Sequence, residues 1–109
     1  MSDYEYTVVL TTVPADADAG AFAHALVEDH LAACVNVLPA MESVFRWEGR
    51  IDRATERQLL IKTARARVPA LWARVRALHA YDVPEFIVLP IVDGHAPYLQ
   101  WIAASTRPA

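Results

Sequence analysis

The chain has 109 residues, 55% of them hydrophobic and 21% charged, which suffices for one small core and is too apolar for a disordered segment. Ten Lys and Arg against 13 Asp and Glu leave a net charge of −3, so there is no electrostatic footprint for nucleic acid, and no apolar run approaches the ~20 residues of a membrane span. A single domain covering residues 1–109, with neither nucleic acid nor a membrane as partner, is the expectation.

The opening MSDYEY is acidic and lacks the basic and apolar regions of a signal peptide, and the single cysteine, Cys34, precludes an internal disulfide. Both point to the cytoplasm. Residues 4–12 (YEYTVVLTT) are rich in β-branched and aromatic side chains and read as a first strand, with Tyr4, Tyr6, Val8 and Leu10 on one face. Pro14 stops it, and Asp16 is placed to cap a helix over residues 16–30, where Ala19, Phe22, Ala23, Leu26, Val27 and His30 recur at helical spacing. Two long extended segments follow, residues 34–47 and 51–64, joined at Glu48-Gly49-Arg50, where the glycine supplies the positive φ of a hairpin turn. Pro39 lacks the N–H that a ladder needs and marks a bulge or bend in the first of them. Pro69 begins a second helix that ends at His79, with Leu71, Val75 and Leu78 as its apolar stripe. After the turn AYDVP, the continuous apolar run EFIVLPI (residues 85–91) reads as a central strand. Asp93-Gly94-His95 forms a loop, and a third helix starts at Pro97, buries Tyr98, Leu99 and Ile102, and ends at Arg107-Pro108.

The order βαββαβ plus one helix is an α+β, ferredoxin-like sandwich with an extra C-terminal helix and a long hairpin arm between the second and third strands. Right-handed crossovers put both long helices on one sheet face, which leaves the other face without a cover. The hairpin is apolar near its base, where Val35, Val37 and Leu38 face Leu59, Leu60 and Ile61. Its outer half sets Met41, Phe45 and Trp47 against Arg50, Asp52, Arg53, Thr55, Glu56 and Arg57. In water each of those large apolar side chains forgoes roughly 1.5–3 kcal/mol of burial, so the arm is expected to pack on another copy of the chain.

The glycines at 20, 49 and 94 are too scattered for a phosphate loop, and no nucleophile elbow, paired-histidine or paired-cysteine metal motif occurs; the chain does not read as an enzyme. Cys34 opens a buried strand and reads as a core thiol. His24, His30 and His95 read as helix-surface and loop residues. His79 differs, because it ends the second helix just before Tyr81, Pro84 and Glu85, which gathers an imidazole, a phenol and a carboxylate on one short connection. That set suits a borderline divalent metal, a small polar ligand, or simply a capped helix end. Lys62 and Trp47 could line a cleft beside it, or be a solvated lysine and an interface anchor.

The segments VVLTTVP, LVEDHLAACVNVLP, FRWEGRI, LLIKT, HAYDVPEFIVLPI and YLQWI run in order through nearly the whole chain, and together they closely resemble the CutA family of divalent-cation tolerance proteins. The resemblance implies an intertwined homotrimer built through the hairpin arms, an association with copper and other divalent cations, and a likeness to PII-type signalling trimers, which bind small ligands or partner proteins at subunit clefts. It does not imply a catalysed reaction. The copper ligands that the resemblance implies are a cysteine near the end of the first strand and two adjacent histidines before the YxxPE turn. Here those positions hold Thr11, Leu78 and His79. A hydroxyl is a poor copper ligand, so His79 with Glu85 is left to hold Cu(II) or another divalent cation weakly, while Trp47, Lys62, Tyr81, Pro84 and Glu85 remain the residues of a ligand cleft or interface.

Overall fold

The computed structural model, described over residues 4–109, has the element order β1 (Tyr6–Pro14), α1 (Ala19–Glu28), β2 (Cys34–Trp47), β3 (Arg50–Ala64), α2 (Val68–Leu78), β4 (Ile87–Pro90) and α3 (Ala96–Ser105). The four strands form one antiparallel sheet in the order β2-β3-β1-β4, a ferredoxin-like arrangement with a long β2-β3 hairpin. Strand alternation decides what each face carries. Val9, Thr11 and Thr7 of β1 lie opposite Ile61, Leu59 and Thr63 of β3, and all six are fully buried. With Leu26 of α1 and Leu71 and Val75 of α2 they form the core. The buried threonines of that face hold the layer together: Thr7 donates to the Thr63 carbonyl at 3.0 Å and Thr63 to the Leu31 carbonyl at 2.7 Å.

The ends of the elements move relative to the sequence expectation for local reasons. β1 begins at Tyr6 and extends through Pro14, because Pro14 still lies opposite Glu56 and Ala15 N–H donates to the Thr55 carbonyl at 3.0 Å. The cap of α1 is Asp18 rather than Asp16; its Oδ1 accepts from Ala21 N–H at 2.9 Å. The helix stops at Glu28, and His30 lies beyond it at φ 58°, the left-handed conformation that commonly follows a helix end. A single 3₁₀ turn, Arg65–Arg67, precedes α2, and Pro69 sits in the first helical turn as expected. The hairpin corner has two residues, Glu48 at φ 50° and Gly49 at φ 77°, the double left-handed turn that matches strand twist. Pro39 lies within the register shift between Val37 and Ala40.

Two larger expectations are corrected. The run EFIVLPI supplies an edge strand of four residues, paired only with β1, rather than a central one. Its apolar character has a different cause: Val88 packs on the helix-side core, while Ile87 and Leu89 point to the opposite face and are exposed in a single chain. That opposite face is also not wholly bare. Lys62, between Ile61 and Thr63 on β3, projects away from the core, and its Nζ lies 5.9 Å from the Tyr98 ring centroid. α3 therefore folds back across this face and buries Ile102 completely, leaving Tyr98, Trp101, Ile87 and Leu89 exposed around it.

Candidate functional site

The polar side chains singled out in the sequence converge where β1 ends. α2 runs over the core to Leu78, and His79 leaves it in extended conformation, which drops the imidazole onto the end of β1. Its Nε2 lies 2.6 Å from the Thr12 carbonyl oxygen, and its Nδ1 accepts from Tyr81 N–H at 3.0 Å. The ring also packs edge-on to Phe22 of α1, 6.1 Å between centroids, and against Tyr81 at 4.8 Å. Tyr81 crosses to β3, where its hydroxyl donates to Glu56 Oε2 at 2.8 Å. Gln58, two residues along the same strand face, donates through Nε2 to Glu85 Oε2 at 2.9 Å and to the Thr11 carbonyl at 2.8 Å. The 79–85 turn is thus tied to β1 and to β3 at both of its ends.

Electrostatics follow from this packing. Burial pushes the Tyr81 phenol up to about 12; the hydrogen bond to Glu56, the Glu56 charge and the charge of Asp16 act in the same direction. Glu56 is buried and accepts from a neutral donor. Neither it nor Glu85 forms an ion pair among the described residues.

Of the residues expected to share a site, His79, Tyr81 and Glu85 meet in this network, and Pro84 is half-buried in the same turn. Lys62 does not join them within one chain. It lies six residues from Glu56 on β3, about 20 Å at ~3.3 Å per residue, and stacks near Tyr98 instead. Trp47 lies at the far end of the arm, opposite Arg50. Two open clefts, of about 520 and 500 Å³, adjoin Tyr4, Glu5 and Tyr6 at the opposite end of β1, and neither is lined by His79, Tyr81, Glu56 or Glu85.

A family model described as CutA1 divalent ion tolerance protein matches residues 7–105. The chain belongs to this family. It is 48% identical over 99 residues to the divalent-cation tolerance protein CutA of Thermus thermophilus, spanning 91% of this chain and 96% of that one. The solved structure of a Thermus thermophilus divalent cation tolerance protein superposes with a TM-score of 0.90 at 46% identity, over 94% of this chain and 99% of that chain. A solved structure described as the PII-like protein CutA from Nostoc superposes with a TM-score of 0.87 at 28% identity, over 94% and 99% of the two chains.

The CutA family name implies a divalent cation, and the donors at the turn do not fit one as they stand. Both nitrogens of His79 are engaged, and Glu85 holds Gln58. Thr11, on the core face of β1, is fully buried with its hydroxyl unpartnered, but a hydroxyl is a weak donor for a transition metal. No group of three or more His, Cys, Asp and Glu is assembled among the described residues. Freeing one His79 nitrogen leaves its hydrogen-bond partner unpaired, at a cost of about 1–3 kcal/mol, roughly a tenfold to hundredfold loss of affinity.

Three contributors were not singled out in the sequence. Glu56 reads as part of the charged outer arm, and Gln58 and the Thr12 carbonyl carry no motif. Nothing in the sequence alone marks Glu56, which meets the turn only through the register that sets it opposite Pro14.

Proposed function

We propose that the protein works in the cytoplasm as a homotrimer, a single-domain and non-catalytic binding protein whose sites for a small ligand or a partner protein lie where the 79–85 turn of one subunit meets the next. The observation that carries this reading is the outer hairpin arm: Val44, Phe45, Trp47 and Ile51 are exposed in a single chain on a two-stranded ribbon that has no core beneath it. Ile87, Leu89, Tyr98 and Trp101 offer a second apolar surface, on the sheet face that α3 only partly covers. Arm against face satisfies both surfaces in a closed ring. Tyr81, Pro84 and Glu85 then border a subunit boundary, and Trp47 and Lys62 reach it only from a neighbouring subunit. The likeness to a PII-like protein supports ligand binding at such boundaries. The lone free thiol of Cys34 suits a reducing compartment.

The second reading is a weak site for Cu(II) or another divalent cation at His79 and Glu85. The family's description favours it, and the engaged donors weigh against it. Light scattering coupled to gel filtration tests the trimer: the expected mass is about three times the 12.1 kDa of one chain. A stable monomer at micromolar concentration overturns the assembly and the site built on it.

A further inference from the structure

The contacts of His79 fix its protonation pattern without reference to any metal. The Thr12 carbonyl has only lone pairs, so Nε2 at 2.6 Å carries the proton. The Tyr81 backbone nitrogen has only a proton to offer, so Nδ1 at 3.0 Å presents its lone pair. Turning the ring over puts carbon atoms against both partners and forfeits both bonds. The aromatic edge of Phe22 and the face of Tyr81 hold the ring in this orientation. One proton and one lone pair are both committed, so nothing remains on the imidazole for a cation to take.

We propose that His79 is a positioning residue rather than a metal ligand: a neutral imidazole, protonated on Nε2, that ties the end of β1 to Tyr81 and through Tyr81 holds the phenol on Glu56. The family's cation chemistry is then not carried at this turn. The series runs Thr12 carbonyl, His79, Tyr81 backbone, Tyr81 hydroxyl, Glu56, and returns to β1 through the pairing of Glu56 with Pro14. It closes a loop around the C-terminal end of β1, and each member is held by the next. Thr11 agrees with this reading. Its side chain lies on the core face of β1, whereas Gln58, which holds Glu85, alternates to the other face with Glu56. The hydroxyl at 11 and the carboxylate at 85 thus belong to opposite sides of the sheet. The inference rests on contacts within one chain and is independent of the trimer.

Selective ¹⁵N-histidine labelling of the assembled protein, titrated with Zn(II), tests it directly. The expected spectrum has a pyrrole-type shift at Nε2 and a pyridine-type shift at Nδ1 of His79, unchanged at one equivalent of Zn(II) per chain. A His79 nitrogen that moves to a metal-bound shift at one equivalent overturns the proposal. Amide hydrogen exchange at Tyr81 supplies the second readout: His79→Ala is expected to speed exchange at least tenfold, and His79→Asn, whose Oδ1 replaces the Nδ1 acceptor, to restore most of the protection. Equal exchange in all three proteins overturns the positioning role. Calorimetric titration of His79→Asn with Cu(II) should match the wild type, and loss of one site per chain in the variant contradicts the inference even where His79→Ala fails to fold.

Discussion

The two halves of the β2-β3 hairpin share strands, pairing and alternation, yet differ in what lies beneath them. Near the base, Leu59 and Ile61 are fully buried under α1 and α2. Beyond the shift at Val37/Ala40, Val44, Trp47 and Ile51 are 63%, 50% and 71% exposed. The hydrogen-bond ladder continues across the break, because the two-residue turn at Glu48-Gly49 and the cross-strand pairs specify the ribbon locally. Arg57 bridges the irregularity by donating from Nε to the Leu38 carbonyl at 2.9 Å. Pairing is therefore a property of one chain, whereas burial of the outer half is not. A ribbon of two strands without a third layer is marginal in water, and the proposed trimer is what would supply that layer to the exposed residues of the outer half.

Trp47→Ala gives the largest expected effect and breaks the comparison most sharply. If the ring is buried between chains, the substitution costs about 3–5 kcal/mol, read as a lower melting temperature that depends on protein concentration. An arm that stands free in water confines the change to about 0.5 kcal/mol.

Tyr81→Phe tests the junction between the halves, because Glu56 lies opposite both Pro14 and Met41, where the packed base meets the bare arm. Loss of a hydrogen bond to a carboxylate costs about 1.5–3 kcal/mol, expected in urea unfolding at neutral pH. The phenol also predicts a pH dependence. Its folded pKa is raised to about 12 from an ordinary 10.0. Below pH 10 both states hold the proton and the contribution is complete. As pH rises from about 10 to 12 the unfolded chain releases the proton first, so it binds fewer protons than the native state and stability falls with pH. Wild type should lose more stability than Tyr81→Phe across that window, and parallel curves contradict the part-buried Tyr81–Glu56 contact.

Much of this was legible in residue order. The apolar base of the hairpin, with Leu59 and Ile61, marked part of the sheet core, Leu71 and Val75 marked the packed stripe of α2, and Pro39 marked the irregularity in β2, whereas the face grouped in the first strand, Tyr6, Val8 and Leu10, is the one opposite the core that Val9 joins. The edge position of β4 was not legible, because an apolar run records that side chains leave water without recording whether a neighbouring strand, a helix or another chain removes them. His79, Tyr81 and Glu85 could be grouped because they are close in sequence. Glu56 and Gln58 could not, since they come from a strand more than 20 residues earlier and join the turn only through the register of β1 with β3. The engagement of both His79 nitrogens is likewise invisible in sequence, because one partner is the carbonyl of Thr12, 67 residues away.

Hydrogen exchange followed by mass spectrometry compares the two halves of the hairpin directly. Peptides from the base, around Leu59 to Thr63, report the core, and peptides spanning Met41 to Ala54 report the outer arm. If other copies of the chain cover the arm, both sets exchange slowly at micromolar concentration, at rates set by unfolding of the assembly. An arm that exchanges orders of magnitude faster than the base, in protein whose base stays protected, contradicts that account.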